Sequence, residues 1–380
     1  MTPPEKNILI ITGEPSGDMH AGELLKELRK LLPGFSFWGI GGDRMEEQGV
    51  ELIEHVKRFS IVGVWEVLRN LSRIHAQYKD LTRNIRKRKP LLAILIDYPG
   101  FNLKVAAFLH REKIPVIYYI IPQVWAWGRG RIRALKRYVN EALVLFEFEK
   151  KFLQRYGIYA EFVGHPLVDK ELPHMRTDAS EEPFTIALLP GSRLIEIENM
   201  FPVMLETAEK IRRERKNTRF VIAENSNIDR ALYDSILEKH RELDISRVTD
   251  DTFSVLARSD FALVTSGTAT LEAAIMETPM IISYRASRLT AWVFFTFVRI
   301  PFLGLVNIIA GKEVAPELLQ EKATPENMCR KVMEITGDRA RMQKMKDELR
   351  EVKYSLGEKG ASRRAAEAIA KFTREQGLPA

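Results

Sequence analysis

The sequence predicts an α/β protein made of two doubly wound parallel-sheet units. Three observations carry that reading. Short β-branched runs alternate with longer amphipathic segments almost throughout, the pattern of a parallel sheet covered by helices. The chain has 380 residues, too many for one small core at roughly 100–200 residues per domain. The stretch from His165 to Pro183 lacks periodicity and is rich in Pro, Asp, Glu and Ser, so it reads as a linker. Residues 1–170 then form a first unit, 171–183 the connection and 184–352 a second unit, with a cleft between them.

In chain order, the expected strands of the first unit are 7–12, 36–40, 91–96, 116–120, 142–145 and 161–163. Those of the second are 184–189, 219–223, 261–264 and 280–283. Each is a brief apolar run bounded by turn residues. The charged tail from Asp338 breaks at Gly357 and Gly360. A final helix over 358–376 then docks on the first unit or on a partner subunit.

Composition removes several classes. With 45% hydrophobic residues the chain is no disordered protein. Cys329 is the single cysteine, so neither an internal disulfide nor a cysteine zinc site is expected, and a reducing cytosol fits. Met1 to Lys6 is not the start of a signal peptide, because a strand-like run follows without a long apolar region. The 58 Lys and Arg outnumber the 51 Asp and Glu, a formal charge of +7 that calls for an anionic partner. Nucleic acid is disfavoured: no stacking aromatics interleave the basic residues, and no recognised motif is present.

Two segments raise the question of a membrane. Val64, Val67, Leu68, Leu71, Ile74 and Tyr78 fall at the spacing of one helix face. They are followed by Arg69, Arg73, Lys79, Arg83, Arg86, Lys87, Arg88 and Lys89, with only Asp80 opposed. With Trp65 beside it, such a helix suits the headgroup layer of an anionic membrane; it equally suits packing on the sheet with a solvated basic end. The second segment, 291–310, is split by Arg299 and Pro301, too short in each piece to span a bilayer of roughly 20 apolar residues.

Three polar turns follow expected strands, where open α/β sheets place their ligands. The first, Gly13-Glu14-Pro15-Ser16-Gly17-Asp18, carries acidic residues that repel phosphate and suit sugar hydroxyls, although a capped turn with Asp18 near a helix start fits as well. The second, Pro190-Gly191-Ser192-Arg193, offers helix-start amides and a guanidinium fork to a diphosphate. The third, Thr265-Ser266-Gly267-Thr268 with Glu272 one turn later, adds hydroxyls, amides and a carboxylate able to accept from both ribose hydroxyls. Neither of the last two is a Walker sequence, so a nucleotide diphosphate is held without ATP or GTP hydrolysis.

In the first unit Asp97 closes a strand and opens Asp97-Tyr98-Pro99-Gly100-Phe101-Asn102, a position from which a carboxylate can take a proton from an acceptor hydroxyl; a turn carboxylate is the plainer reading. The loop from Pro122 brings Trp125 and Trp127, suited to a sugar or an acyl chain, and Arg129, Arg131 and Arg133, suited to a phosphate. His165, before Pro166, reads as structural.

These motifs, together with Val306-Asn307-Ile308-Ile309-Ala310-Gly311, occur in the order seen in bacterial lipid-A-disaccharide synthases, and the chain resembles that family over nearly its whole length. The resemblance implies a GT-B glycosyltransferase of two Rossmann-like domains facing a central cleft, with the acceptor on the first and the UDP-sugar on the second. It implies transfer from UDP-2,3-diacylglucosamine to 2,3-diacylglucosamine 1-phosphate, giving a β-1,6-linked disaccharide and UDP. A UDP-N-acetylglucosamine 2-epimerase of the same fold is the nearest alternative. Position by position, Asp97 matches the family's base and Arg193 its diphosphate arginine. Gly191, Ser192, Ser266, Gly267, Thr268, Glu272 and Asn307 fall at the nucleotide, and Glu14, Ser16, Asp18, Trp127, Arg129 and Arg131 at the acceptor. Val64, Trp65, Val67, Leu68 and Leu71 become a membrane contact on the cytoplasmic face of the inner membrane. A homodimer exchanging the last helix is implied as well. No Asp-x-Asp pair stands out as a metal site, so neither metal nor cofactor is expected. The family pattern Asp-x-Pro-Asp-Phe-Asn has Gly100 here at its second acid, which leaves Asp97 to act alone.

Overall fold

A computed structural model of the chain describes residues 6–58, 71–126, 129–174, 183–287 and 300–377. It divides into two compact units, Met1–Asp169 with Leu356–Ala380, and Lys170–Ser355. The strands are β1 (Asn7–Ile11), β2 (Ser36–Gly41), β3 (Glu51–His55), β4 (Leu92–Ile96), β5 (Val116–Tyr119), β6 (Glu141–Val144), β7 (Ala160–Phe162), β8 (Phe184–Leu189), β9 (Thr218–Glu224), β10 (Ile245–Thr249), β11 (Phe261–Thr265), β12 (Met280–Tyr284) and β13 (Glu317–Leu319). In the first unit the helices are α1 (Pro15–Leu31), α2 (Asp43–Glu47), α3 (Leu71–Arg88), α4 (Pro99–Arg111), α5 (Arg129–Tyr138) and α6 (Glu147–Arg155). The second holds α7 (Leu194–Glu214), α8 (Arg230–Leu237), α9 (Thr252–Ala257), α10 (Ala269–Ile275), α11 (Leu305–Ala310), α12 (Pro325–Thr336) and α13 (Arg339–Ser355). The chain then returns to the first unit as α14 (Ala361–Glu375).

Among the described residues, the first sheet has the order β3-β2-β1-β4-β5-β6-β7 and the second β10-β9-β8-β11-β12-β13. Every described strand pairing is parallel. The central strands β1, β4, β5 and β11 are buried along their whole length, which is why they read as unbroken apolar runs. In both sheets the order reverses beside the first strand of the unit, so the loops after β1 and β4, and after β8 and β11, open at a switch point.

α3 resolves one of the two readings of the basic amphipathic segment as far as it is described. Leu81 and Ile85 are buried in the core of the first unit, and Ile74 and Tyr78 pack against it. The stripe from Ile74 onward therefore covers the sheet. Of its basic residues, Arg83 pairs with Asp80 and Arg86 with Glu112 at the surface, while Arg88 pairs with Glu51 and lies over the ring of the buried Trp38. Val64, Trp65, Val67 and Leu68, and the side chain of Leu71, lie outside the described residues, as do 291–299. No described helix is long and apolar enough to cross a membrane.

The last helix completes the first unit. α14 lies against α1 and buries Ala365, Ile369 and Phe372. Asp169 caps its start, its Oδ1 accepting from the Gly360 amide at 2.6 Å across 191 positions of sequence. Arg364 donates from Nε to the Val163 carbonyl (2.9 Å), and the His165 amide donates to the Leu356 carbonyl (2.8 Å). The stretch that lacks periodicity in the sequence thus begins inside the fold, with His165 buried and Pro166–Asp169 in a 3₁₀ turn.

Candidate active site

In the first unit the chain turns out of β4 through two consecutive left-handed residues, Asp97 (φ 46°) and Tyr98 (φ 47°). Non-glycine residues resist this conformation by about 1–3 kcal/mol each, so something must hold it. The buried Tyr118 hydroxyl donates to the Asp97 carbonyl at 2.6 Å. The buried Asn102 amide donates to the same carbonyl at 2.8 Å and to that of Ile96 at 3.1 Å. Space is provided by Gly13, where a Cβ would fall 2.3 Å from the Tyr98 ring. The loops after β1 and β4 therefore pack closely, and Tyr118 and Asn102 are the parts that sequence reading missed. Asn102 was in view as the end of its motif; a reach back to the strand is what its amide supplies.

The Asp97 carboxyl is half-buried, and burial raises its pKa to about 6, with the negative charge of Glu14 adding to the rise. A carboxylate tuned upward in this way is a stronger base that is still ionised at neutral pH. Activity is expected to fall on the acid side with an apparent pKa near 6, the value of Asp97. Glu14→Gln removes the like charge and moves that limb to lower pH. Profiles of kcat/KM against pH for both proteins check this, and a limb that stays in place separates Glu14 from the base.

Around this centre the acceptor residues divide. Ser16 is exposed on the first turn of α1, and Glu14 half-buried before it. Arg131 is partly buried near Tyr118; desolvation lowers its pKa and the phenol opposes that. Trp127 and the side chain of Arg129 lie outside the described residues. Trp125 is anchored: its Nε1 donates to Glu149 at 3.1 Å and its ring stands edge-on to Phe148. Asp18 is a correction. It is 5% exposed, and its carboxylate accepts from the amides of Gly42 (2.7 Å), Arg44 (3.0 Å) and Met45 (3.2 Å). Those contacts fasten the start of α2 to α1 and leave the carboxylate no free face for a sugar. His165 is structural: burial pushes its imidazole down to about 3, and its Nδ1 accepts from the Leu167 amide.

In the second unit, β8 leads into Gly191 (φ 118°) and then α7. Arg193 stands at the helix start with its side chain 60% exposed. The amides of Ser192 and Arg193, expected to face a phosphate, instead donate to Glu196 at 3.0 and 3.3 Å. At the end of β11 Ser266 donates from its hydroxyl to the Leu303 carbonyl and from its amide to that of Ser283. Gly267 is partly buried with open space around its Cα, and Thr268 is exposed at the start of α10. Tyr284, at the end of β12, feels both neighbours: burial and Glu196 raise its pKa, and Arg193 opposes them.

Glu272 lines a pocket of about 410 Å³ whose walls include Lys170, Asp250, Thr252 and Phe253. Burial raises the pKa of its carboxyl, while the Lys170 charge and a hydrogen bond from Thr252 hold it down. Asn307 is the second correction. It is fully buried; its Oδ1 accepts from Val314 and Ala315, and its Nδ2 donates to Ala315 and Glu317. Its polar atoms are engaged within the chain, where they fix the turn after α11. Among the described residues one group could share a cation, Asp43, Glu46 and His55, but Asp43 already pairs with His55 and Lys57 at the surface.

The family model for Lipid-A-disaccharide synthetase matches residues 8–372. The chain belongs to that family. It is 40% identical over 375 residues to the lipid-A-disaccharide synthase of Anaeromyxobacter dehalogenans strain 2CP-C, spanning 95% of this chain and 96% of the relative. It is therefore an enzyme, a glycosyltransferase of lipid A biosynthesis. Solved structures agree in fold at low identity. The glycosyltransferase of kitacinnamycin superposes with a TM-score of 0.65 at 15% identity, covering 99% of this chain and 100% of that one. A putative UDP-N-acetylglucosamine 2-epimerase from Listeria monocytogenes gives 0.64 at 13%, covering 99% and 98%. The two-sheet GT-B architecture is common to both activities, so the fold alone does not separate transferase from epimerase. The family match does, in favour of the transferase.

Proposed function

We propose that the chain carries out the lipid-A-disaccharide synthase reaction by single inverting displacement, with Asp97 as base and Arg193 on the leaving nucleotide. The donor is UDP-2,3-diacylglucosamine and the acceptor 2,3-diacylglucosamine 1-phosphate. Asp97 takes the proton of the acceptor 6-hydroxyl while that oxygen bonds to the donor's anomeric carbon. The bond from that carbon to the diphosphate breaks, and UDP leaves with the electron pair. Arg193 stabilises the charge that grows on it. The observation that supports this reading best is Asp97 itself: a half-buried carboxyl tuned to about 6, on a strained turn that two buried side chains hold in place.

Glu14, Ser16 and Arg131 serve the acceptor beside Asp97, joined by Trp127 and Arg129. Glu272 takes the ribose in its pocket, with Gly191, Ser192, Ser266, Gly267 and Thr268 nearer the phosphates. Gly100 is exposed with open space around it, so a side chain would fit there, but the motif carries no acid at that position. Two lipid substrates favour peripheral attachment to the cytoplasmic face of the inner membrane through Val64, Trp65, Val67, Leu68 and Leu71, with the exposed cations Arg73, Lys79 and Lys87 following in sequence. A homodimer that exchanges α14 would make the contacts of α14 with α1 between chains.

Mass spectrometry of the product tests the reaction. Incubation with both diacylated substrates is expected to yield one disaccharide 1-phosphate and one UDP per turnover. Absence of that mass, or turnover of UDP-N-acetylglucosamine supplied alone, overturns it.

A further inference from the structure

The loop after β8 holds an arrangement that the transfer mechanism above does not use. Glu196, the third residue of α7, is 7% exposed and directs its carboxylate back over the loop. Oε2 accepts from the amides of Ser192 (3.0 Å) and Arg193 (3.3 Å), and Oε1 accepts from Arg193 Nη1 at 3.2 Å. Gly191 is shaped to this carboxylate: at φ 118° its Cβ would fall 2.5 Å from Oε2. An anion of the chain's own thus sits where helix-start amides would otherwise receive a phosphate oxygen. Displacing it would strand a buried carboxylate, a costly exchange.

The same contact decides which side of Arg193 is available. A guanidinium offers planar pairs of donors, and a phosphate is best met by two at once. With Nη1 tied to Glu196, Nε and Nη2 find no acceptor among the described residues, and the side chain is otherwise well exposed. A long exposed side chain without such a tether would spread over many rotamers.

We propose that Glu196 is a positioning residue, which ties Nη1 of Arg193 and so presents the Nε–Nη2 edge to the diphosphate of the donor. The proposal rests on Arg193 acting at the diphosphate. It also moves the phosphate contact from the Ser192 and Arg193 amides to the guanidinium.

The test is a double-mutant cycle. Glu196→Ala is expected to lower kcat about tenfold or more, the scale of a misplaced catalytic group, and to do nothing further in an Arg193→Ala background. Glu196→Gln keeps an oxygen for the two amides, so it folds, and its kcat falls between the two. Thermal melting of each variant checks the folded fraction. Equal losses from Glu196→Ala in both backgrounds, or Glu196→Gln and Glu196→Ala at wild-type kcat, overturn the positioning role while Arg193 keeps its own. Arg193→Ala at wild-type kcat removes the reading beneath it instead.

Discussion

Asp97→Asn is expected to form disaccharide at least a hundredfold more slowly than the wild type, since a positioned general base contributes roughly 10²–10⁴ to a rate. The substitution keeps the shape of the side chain. The bonds from Tyr118 and Asn102 to the backbone carbonyl are kept, and the asparagine oxygen can still accept from the Tyr98 amide that the carboxylate meets. Stability moves the other way. The folded pKa of Asp97 is raised from 3.8 to about 6. Between those values the folded state binds a proton that the unfolded state has lost, so wild-type stability declines as pH climbs through that window. Asparagine carries no such burden. Above pH 6 the variant should therefore be more stable, by on the order of 2 kcal/mol, while much less active. Melting curves at pH 4 and pH 8 with single-turnover rates at pH 8 measure both. A rate within tenfold of wild type takes Asp97 out of the chemistry.

Arg193→Ala is expected to lower kcat by about 10²-fold or more, the loss seen when one donor to developing negative charge is removed. Its side chain is 60% exposed and its one ion pair among the described residues is with Glu196, so the fold should lose little, within about 0.5–1 kcal/mol. Because the charge on UDP grows in the transition state, kcat should suffer more than the donor KM. Steady-state kinetics with the donor varied decide the matter. An unchanged kcat with a raised donor KM would assign Arg193 to ground-state binding alone.

What the sequence disclosed follows from where its residues sit. Central strands such as β1 and β11 are buried on both faces, and their apolar runs are unmistakable. The three strands absent from the sequence reading, β3, β10 and β13, are all sheet edges. Glu51-Leu52-Ile53-Glu54-His55 and Ile245-Ser246-Arg247-Val248-Thr249 are half solvated and mix polar with apolar residues. Glu317–Leu319 is only three residues long.

The ends of strands were legible for the same reason, which is how Asp97, Arg193 and Glu272 came into view. Tasks that depend on a distant element were not. Asp18 caps a helix 24 to 27 positions away, and nothing local marks that use. Asn307 closes a turn of its own chain, and a polar residue in a motif reads as a ligand until its partners are seen. Glu196 lies inside the helix beyond the Pro190–Arg193 loop, and only the fold shows its carboxylate turned back over that loop.

The crossing of α14 back onto α1 bears on how the molecule is made. A ribosome releases the amino-terminal sheet long before the helix that covers α1 exists. The intervening unit, continuous in sequence, has all its strands in hand earlier and can mature while the first still waits with bare alanine-facing surface. Premature termination near Gly360 should therefore yield a sound carboxy-proximal half tethered to a sticky amino-terminal one, and such nascent chains should be the ones that chaperones retain.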